Sequence, residues 1–193
     1  MRKMRGWFDF STRDLVVMAI LIGIAGIFQT IWAHLMFSAQ VLGPFQPFFS
    51  AIGFNIWSFL AIYLIRKPGA GVIVKGVAAV IELMLGNPVG PVVLFYGAAE
   101  GFAADLAFVL FRRKVNLNMI IVGSLLAHFI TLPVDMYRDA VPLTLNAVLT
   151  YTGPSIIGKV WISWLVFLAL KMIGNAGIKY STAPMSETNA DEI

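Results

Sequence analysis

Six apolar runs, separated by short polar or Gly/Pro-rich breaks, occupy most of the chain: 14–37, 45–65, 70–86, 91–111, 117–134 and 154–173. A hydrocarbon core of ~30 Å needs about 20 helical residues at ~1.5 Å each, and the runs meet or nearly meet that length. The third is short and ends in "GNPVGP". The other breaks, "LGPFQP", "RKPGAG", "RRKVN" and "KMIGNAG", carry helix-stopping or basic residues, and a long polar stretch, "PVDMYRDAVPLTLNAVLTYTGP", precedes the sixth run. No run alternates with a period of two, which argues against a membrane β-barrel. The pattern predicts an all-α integral membrane protein built as a six-transmembrane-helix bundle.

Composition supports that class. The chain is 59% hydrophobic and 12% charged, with mean hydropathy +0.84. A soluble domain carries about 25% charged residues, so too little polar surface is present for one. The net charge of +4 sits in clusters between apolar runs, which suits loop charges on one membrane face and not a nucleic-acid stripe. Arg2, Lys3, Arg5 and Arg13 precede the first run; Arg66 and Lys67 follow the second. Arg112, Arg113 and Lys114 follow the fourth, and Lys171 and Lys179 end the sixth. With six alternating helices all of these share one side, and the opposite connections hold only Arg138. The positive-inside rule then places both termini in the cytoplasm, in the cell membrane. The first apolar stretch exceeds the roughly 7–15 residues of a signal-peptide core, so a retained span is expected. The tail 181–193, "STAPMSETNADEI", predicts a disordered cytoplasmic end. Without cysteine there is no disulfide, thiolate nucleophile or cysteine metal site.

Polar residues inside the runs concentrate toward the side opposite the basic clusters. Glu82 falls roughly 6 Å below the outer end of the third run, and Glu100 roughly 14 Å below that of the fourth. Intramembrane carboxylates cost several kcal/mol unless paired, hydrated or protonated, which marks both as candidate site residues. Tyr96 shares a face with Glu100. Gln29 and Trp32 lie near the outer end of the first run, Asn55 and Trp57 mid-way along the second, and His128 within one and a half turns of the outer end of the fifth. Lys159 and Trp161 fall just inside the outer end of the sixth. Lys75 reads as a snorkelling side chain of the inner half, and Asp105 as a packing or cytoplasmic contact. An isolated Trp could equally belong to the interfacial belt, and His128 could be a helix-to-helix hydrogen bond. Taken together the outer half predicts a pocket for a flat, nitrogen-rich or cationic small molecule, held by carboxylate acceptors and aromatic faces. No arginine cluster or phosphate cradle is present there, so a phosphate ligand is not expected. No metal site and no cofactor are expected.

Ala19, Gly23, Gly26 and Thr30 form a stripe of small residues on the first run. Such a stripe lets another helix approach closely, either within the bundle or from a separate membrane subunit. The small residues around Gly97 and Gly101 are assigned to internal packing.

Several segments carry a family resemblance. "IRKPGAG" after the second run, and "VIELMLGNPVG" leading into "LFYGAAEGFAADLAFVLFRR", resemble the YkoE family of substrate-binding S components of energy-coupling-factor (ECF) transporters. The resemblance covers most of the chain and is densest from Trp57 to Arg113. It implies capture of thiamin or its hydroxymethylpyrimidine precursor from outside. It also implies a transmembrane coupling subunit and two cytoplasmic ATPases as partners, and toppling in the bilayer to release ligand. On this resemblance Glu82 matches the glutamate before the third loop, Tyr96 the tyrosine of the "YG" pair, and Trp57 and Trp32 the tryptophans of helices two and one. The chain departs from the pattern at Val89, where tryptophan is expected, and at Glu100, where glutamine or another polar residue is.

An S component for another planar amine-bearing vitamin is an alternative within the same class, and two other classes compete. A stand-alone secondary transporter would need coupling-ion residues and usually an internal repeat, and none is visible between 1–90 and 91–180. An intramembrane hydrolase would pair Ser155 with His128, but Ser155 follows a proline at the outer boundary. The chain has no "GxxxxGK[ST]" phosphate loop, so it is not expected to be an enzyme or to hydrolyse ATP itself.

Overall fold

A computed structural model of the protein describes residues 10–38, 46–138, 140, 142 and 144–176. They form six helices: α1 (Thr12–Ser38), α2 (Gln46–Ile65), α3 (Ala70–Met84), α4 (Val92–Leu110), α5 (Leu117–Arg138) and α6 (Leu145–Asn175). No strand occurs among the described residues. The all-α bundle is therefore the one the apolar runs predict. The expected disordered tail 181–193, residue 45 of the second span, and Arg2, Lys3, Arg5 and Lys179 lie outside the described residues.

Two helices overrun their expected ends. Helix α5 continues through Pro133 to Arg138 instead of stopping at 134, and α6 starts at Leu145 instead of 154, enclosing Pro154. Each proline removes one backbone hydrogen bond and crowds the preceding turn, but inside a bundle neighbouring helices sustain the chain on both sides of the break. Helices α1, α4 and α5, with Val148–Asn175 of α6, are each long and apolar enough to cross a membrane. At 15 residues α3 is the short one.

Each helix packs on two neighbours in the ring order α1–α3–α4–α5–α6–α2, and α2 closes the ring on α1. Helix α2 also touches α3 and α4. Helices α3 and α4 approach most closely, because Gly97 and Gly101 form a G-x-x-x-G pair facing α3. A Cβ at Gly97 would sit 2.5 Å from the Cβ of Ala79, and one at Gly101 would sit 2.5 Å from the Cα of Val72.

The two ends of the bundle differ in chemistry. At the end bearing Arg66, Lys67 and Arg112–Lys114, hereafter the basic end, the interior is apolar. Phe59, Ile62, Phe108, Met119, Ile120 and Val166 are packed together there. Met18, Leu21, Ile65 and Val74 form a second apolar cluster beside them.

Two carboxylates organise this end. Ser11 and Asp14 cap α1 reciprocally, Ser11 N–H donating to Asp14 Oδ2 (2.9 Å) and Asp14 N–H to Ser11 Oγ (3.3 Å). Asp14 also pairs with Lys67 at 2.7 Å, tying the α2–α3 turn to α1. Helix α3 has no side-chain cap of its own, since Gly69 precedes it in the left-handed region (φ 93°). Asp105 of α4 fills that role across the helix pair: its carboxylate accepts Gly71 N–H (3.2 Å) and Val72 N–H (2.8 Å).

The small-residue stripe of α1 divides in the structure. A Cβ at Gly26 would lie 2.7 Å from Ile81 Cβ and 3.3 Å from the Ala78 carbonyl, so Gly26 serves the α1–α3 contact and not an outside partner. Thr30 is buried and its hydroxyl donates back to the Gly26 carbonyl at 2.8 Å. Gly23 faces open space and Ala19 is exposed.

Candidate functional site

The half of the bundle away from the basic end gathers buried polar groups from all six helices. On the α1–α3–α4 side, Lys75 pairs with Glu100 at 2.7 Å, with only 2% and 14% of the side chains exposed. The Lys75 ammonium also donates to Gln29 Oε1, while Gln29 Nε2 donates to the Ala25 carbonyl at 3.2 Å. Lys75 thus does not snorkel. Its stem runs inward because Glu100, on the adjacent helix, offers a charge that a lysine reaching for water would leave buried and unpaired. Glu82, two turns along α3, lies within electrostatic reach of both Lys75 and Glu100. Its Oε2 accepts Asn87 Nδ2 at 2.9 Å, and Asn87 Oδ1 accepts Val89 N–H at 2.9 Å, so Glu82 also orders the α3–α4 turn.

Tyr96 and Glu100 diverge although four residues apart. Tyr96 turns to α5 and donates its hydroxyl to Asp135 Oδ1 at 2.6 Å. Arg138 covers it, with Nη1 donating to the Tyr96 oxygen at 3.3 Å and the guanidinium 5.8 Å from the ring centroid. Asp135 lay beyond the expected end of the fifth span. Its signal is the spacing from His128, which puts both on one face of a helix long enough to include them.

On the opposite side, Asn55 of α2 accepts Lys159 of α6 at 3.4 Å. His128, well inside α5, lies within electrostatic reach of Lys159. Both sit deeper than expected. The helix extensions put His128 about 15 Å from the end of α5 and Lys159 about 21 Å from the start of α6. Ser163 Oγ donates to the Lys159 carbonyl at 2.6 Å and lies 3.0 Å from Ser124 Oγ, the last polar contact before the apolar half. Asn55 Nδ2, His128 Nε2 and Thr152 Oγ1 are buried without a hydrogen-bond partner. Leaving such a group unmet costs about 1–3 kcal/mol, so this corner is short of an occupant. Ser155, considered as a nucleophile with His128, instead donates to its own helix at the Tyr151 carbonyl (3.2 Å).

An aromatic cluster joins α1 and α2, with Phe28 at its centre and 42% exposed. Phe28 stacks on Trp32 (centroids 6.0 Å, 9° between planes) and tilts against Trp57 (5.6 Å, 58°). Gly53 joins them: its missing side chain leaves room for the Trp32 indole, and its carbonyl accepts Trp57 Nε1 at 3.1 Å. Phe28 escaped the sequence reading, although it lies one turn from Trp32. Trp161 is 48% exposed and contacts Trp164 on the outer surface, away from this cluster. Among the described residues, no three His, Cys, Asp or Glu side chains gather as a metal-ligand set.

Comparisons with known proteins agree with the architecture. Residues 13–130 match the family described as the ABC-type cobalt transport system, permease component. The protein YkoE of Bacillus subtilis (strain 168), named as a candidate HMP/thiamine permease, is 31% identical over 134 residues. That match spans 66% of this chain and 65% of the relative's length. A crystal structure of an S-component of an ECF transporter superposes with a TM-score of 0.70, at 23% identity, covering 88% of each chain. The chain is thus a multi-pass membrane protein with the S-component fold, and it belongs to the ABC-type cobalt transport system permease family.

Proposed function

We propose that the protein is the substrate-capture subunit of an ECF-type importer and binds thiamin or hydroxymethylpyrimidine in the polar half of its bundle. The observation that carries this reading is the assembly, in one half of an S-component fold, of the buried Glu82, the Lys75–Glu100 pair, unmet hydrogen-bonding groups and an aromatic cluster. An aminopyrimidine presents ring nitrogens and an exocyclic amine to such groups and its flat face to an indole. The name of the YkoE relative points to the same ligands. The family's description names cobalt. The aromatic faces of Phe28, Trp32 and Trp57 support the organic ligand.

The apolar basic half supports placing both termini in the cytoplasm, with the polar half open to the outside. Release to the inside then depends on partners, a transmembrane coupling subunit and two ATPases. Ala19 and Gly23, on the outward side of α1, are the docking positions we assign to the coupling subunit.

Mass spectrometry of the ligand that co-purifies with the protein should find a pyrimidine of this class. Glu82→Gln should weaken its binding about tenfold, ~1.4 kcal/mol, by calorimetry. Unchanged affinity would remove Glu82 from the site. Uptake by this chain alone, in cells lacking any coupling ATPase, would overturn the subunit reading.

A further inference from the structure

The contact between α5 and α6 is polar along its distal half, and its register is regular. Ser124 meets Ser163; four residues further out on each helix stand His128 and Lys159; seven residues beyond those stand Asp135 and Thr152. Equal spacing on two antiparallel helices keeps these residues on facing sides. The seam ends inward at Ser124 and Ser163, against the apolar cluster that includes Ile120, Ile162 and Val166.

Asn55 of α2 faces the middle of this seam through Lys159. The unmet groups here are chemically unequal. An amide NH₂ and an ammonium only donate, whereas an imidazole nitrogen or a threonine hydroxyl can also accept. The Lys159 ammonium has a long 3.4 Å bond to Asn55 Oδ1, and Asn55 Nδ2 has no partner. His128 Nε2 and Thr152 Oγ1, both in residues at least nine-tenths buried, are also unmet. The fitting occupant accepts from Asn55 and Lys159 and donates to His128. That is the bonding pattern of an alcohol.

Charge argues against an oxyanion. Lys159 lies within electrostatic reach of Glu100 and Asp135, with Lys75 as the nearby like charge. Lys75 is itself bound to Glu100, and Arg138 stands beside Asp135. The carboxylates Glu82, Glu100 and Asp135 therefore match the cations Lys75, Lys159 and Arg138 one for one. An incoming phosphate would bring further negative charge into reach of Glu100 and Asp135.

We infer that Asn55, His128 and Lys159 form a subsite for the uncharged hydroxyl of the ligand, so that the protein captures the free alcohol and rejects its phosphate ester. This rests on the pyrimidine reading above and names the part of the ligand that α5 and α6 hold.

The test uses the purified full chain and three compounds in calorimetry: hydroxymethylpyrimidine, its analogue with methyl in place of hydroxymethyl, and its monophosphate ester. The alcohol should bind about tenfold more tightly than the methyl analogue. The ester should not bind at concentrations that saturate with the alcohol. Lys159→Met should bring the alcohol's affinity down to that of the methyl analogue, whose own binding reports an intact site. Should Lys159→Met fail to fold, His128→Leu provides the same comparison. Equal binding of alcohol and methyl analogue by the unmodified protein overturns the subsite while leaving the pyrimidine reading standing. So does tight binding of the ester, or a folded variant that still discriminates. If none of the three compounds binds but thiamin does, the subsite falls and the pyrimidine reading stands; if thiamin fails to bind as well, both fall together.

Discussion

Replacing Lys75 by methionine should destabilise the protein by about 3–5 kcal/mol, the penalty for leaving one member of a buried ion pair without its partner. Lys75 is 2% exposed and stands 2.7 Å from Glu100. Without it, Glu100 has no neutralising group at contact distance from α3, and Glu82 remains close enough to repel it. Gln29 would also lose the donor its Oε1 accepts. The double variant Lys75→Met/Glu100→Met should recover most of the loss, because apolar replacement of both partners removes the stranded charge. Thermal unfolding in detergent checks both steps. A Lys75→Met protein as stable as the unmodified one would show that Glu100 is neutralised elsewhere. Recovery of stability in the double variant without recovery of ligand binding would assign the pair to the site as well as to the fold.

Asp105→Ala should cost about 2–5 kcal/mol through a different mechanism. The carboxylate holds the N–H groups of Gly71 and Val72 at 3.2 and 2.8 Å, in a corner where Asp105 itself is fully buried. Alanine leaves both donors unmet, at about 1–3 kcal/mol each, and removes a negative charge from the positive end of α3. Asp105→Asn retains one acceptor oxygen and should lose less. Because Asp105 lies in the apolar half, ligand affinity measured below the unfolding temperature should stay near its original value. A large fall in affinity together with unchanged unfolding would move Asp105 from scaffold to site.

The helices are legible in the sequence because each must bury its backbone bonds in a single apolar run, and runs of that length have few alternatives. Their ends are less so. Pro133 and Pro154 read as boundaries, since proline stops isolated helices. In the bundle they lie inside α5 and α6, which carries Asp135 into the structure and takes Lys159 far from the helix start. Among the candidate site residues, Gln29, Glu82 and Glu100 meet through Lys75, Asn55 and His128 through Lys159, and Trp32 and Trp57 through Phe28. The sequence pattern does not mark these three residues as the links. Depth along a single helix says where a lysine sits but not which neighbouring helix presents its counter-charge. The Asp105 cap is illegible for the same reason, because the donors it satisfies belong to α3, over thirty residues away.

The two prolines also stand opposite each other. Pro133 lies five residues outward of His128, and Pro154 five residues outward of Lys159, so both breaks fall at one level of the α5–α6 seam. There the carbonyls of Phe129 and Thr150 lack the intrahelical donor that any other residue would supply. Bending both helices at that level sacrifices fewer hydrogen bonds than bending them anywhere else along their length. The two proline breaks thus fall between the level of His128 and Lys159 and that of Thr152.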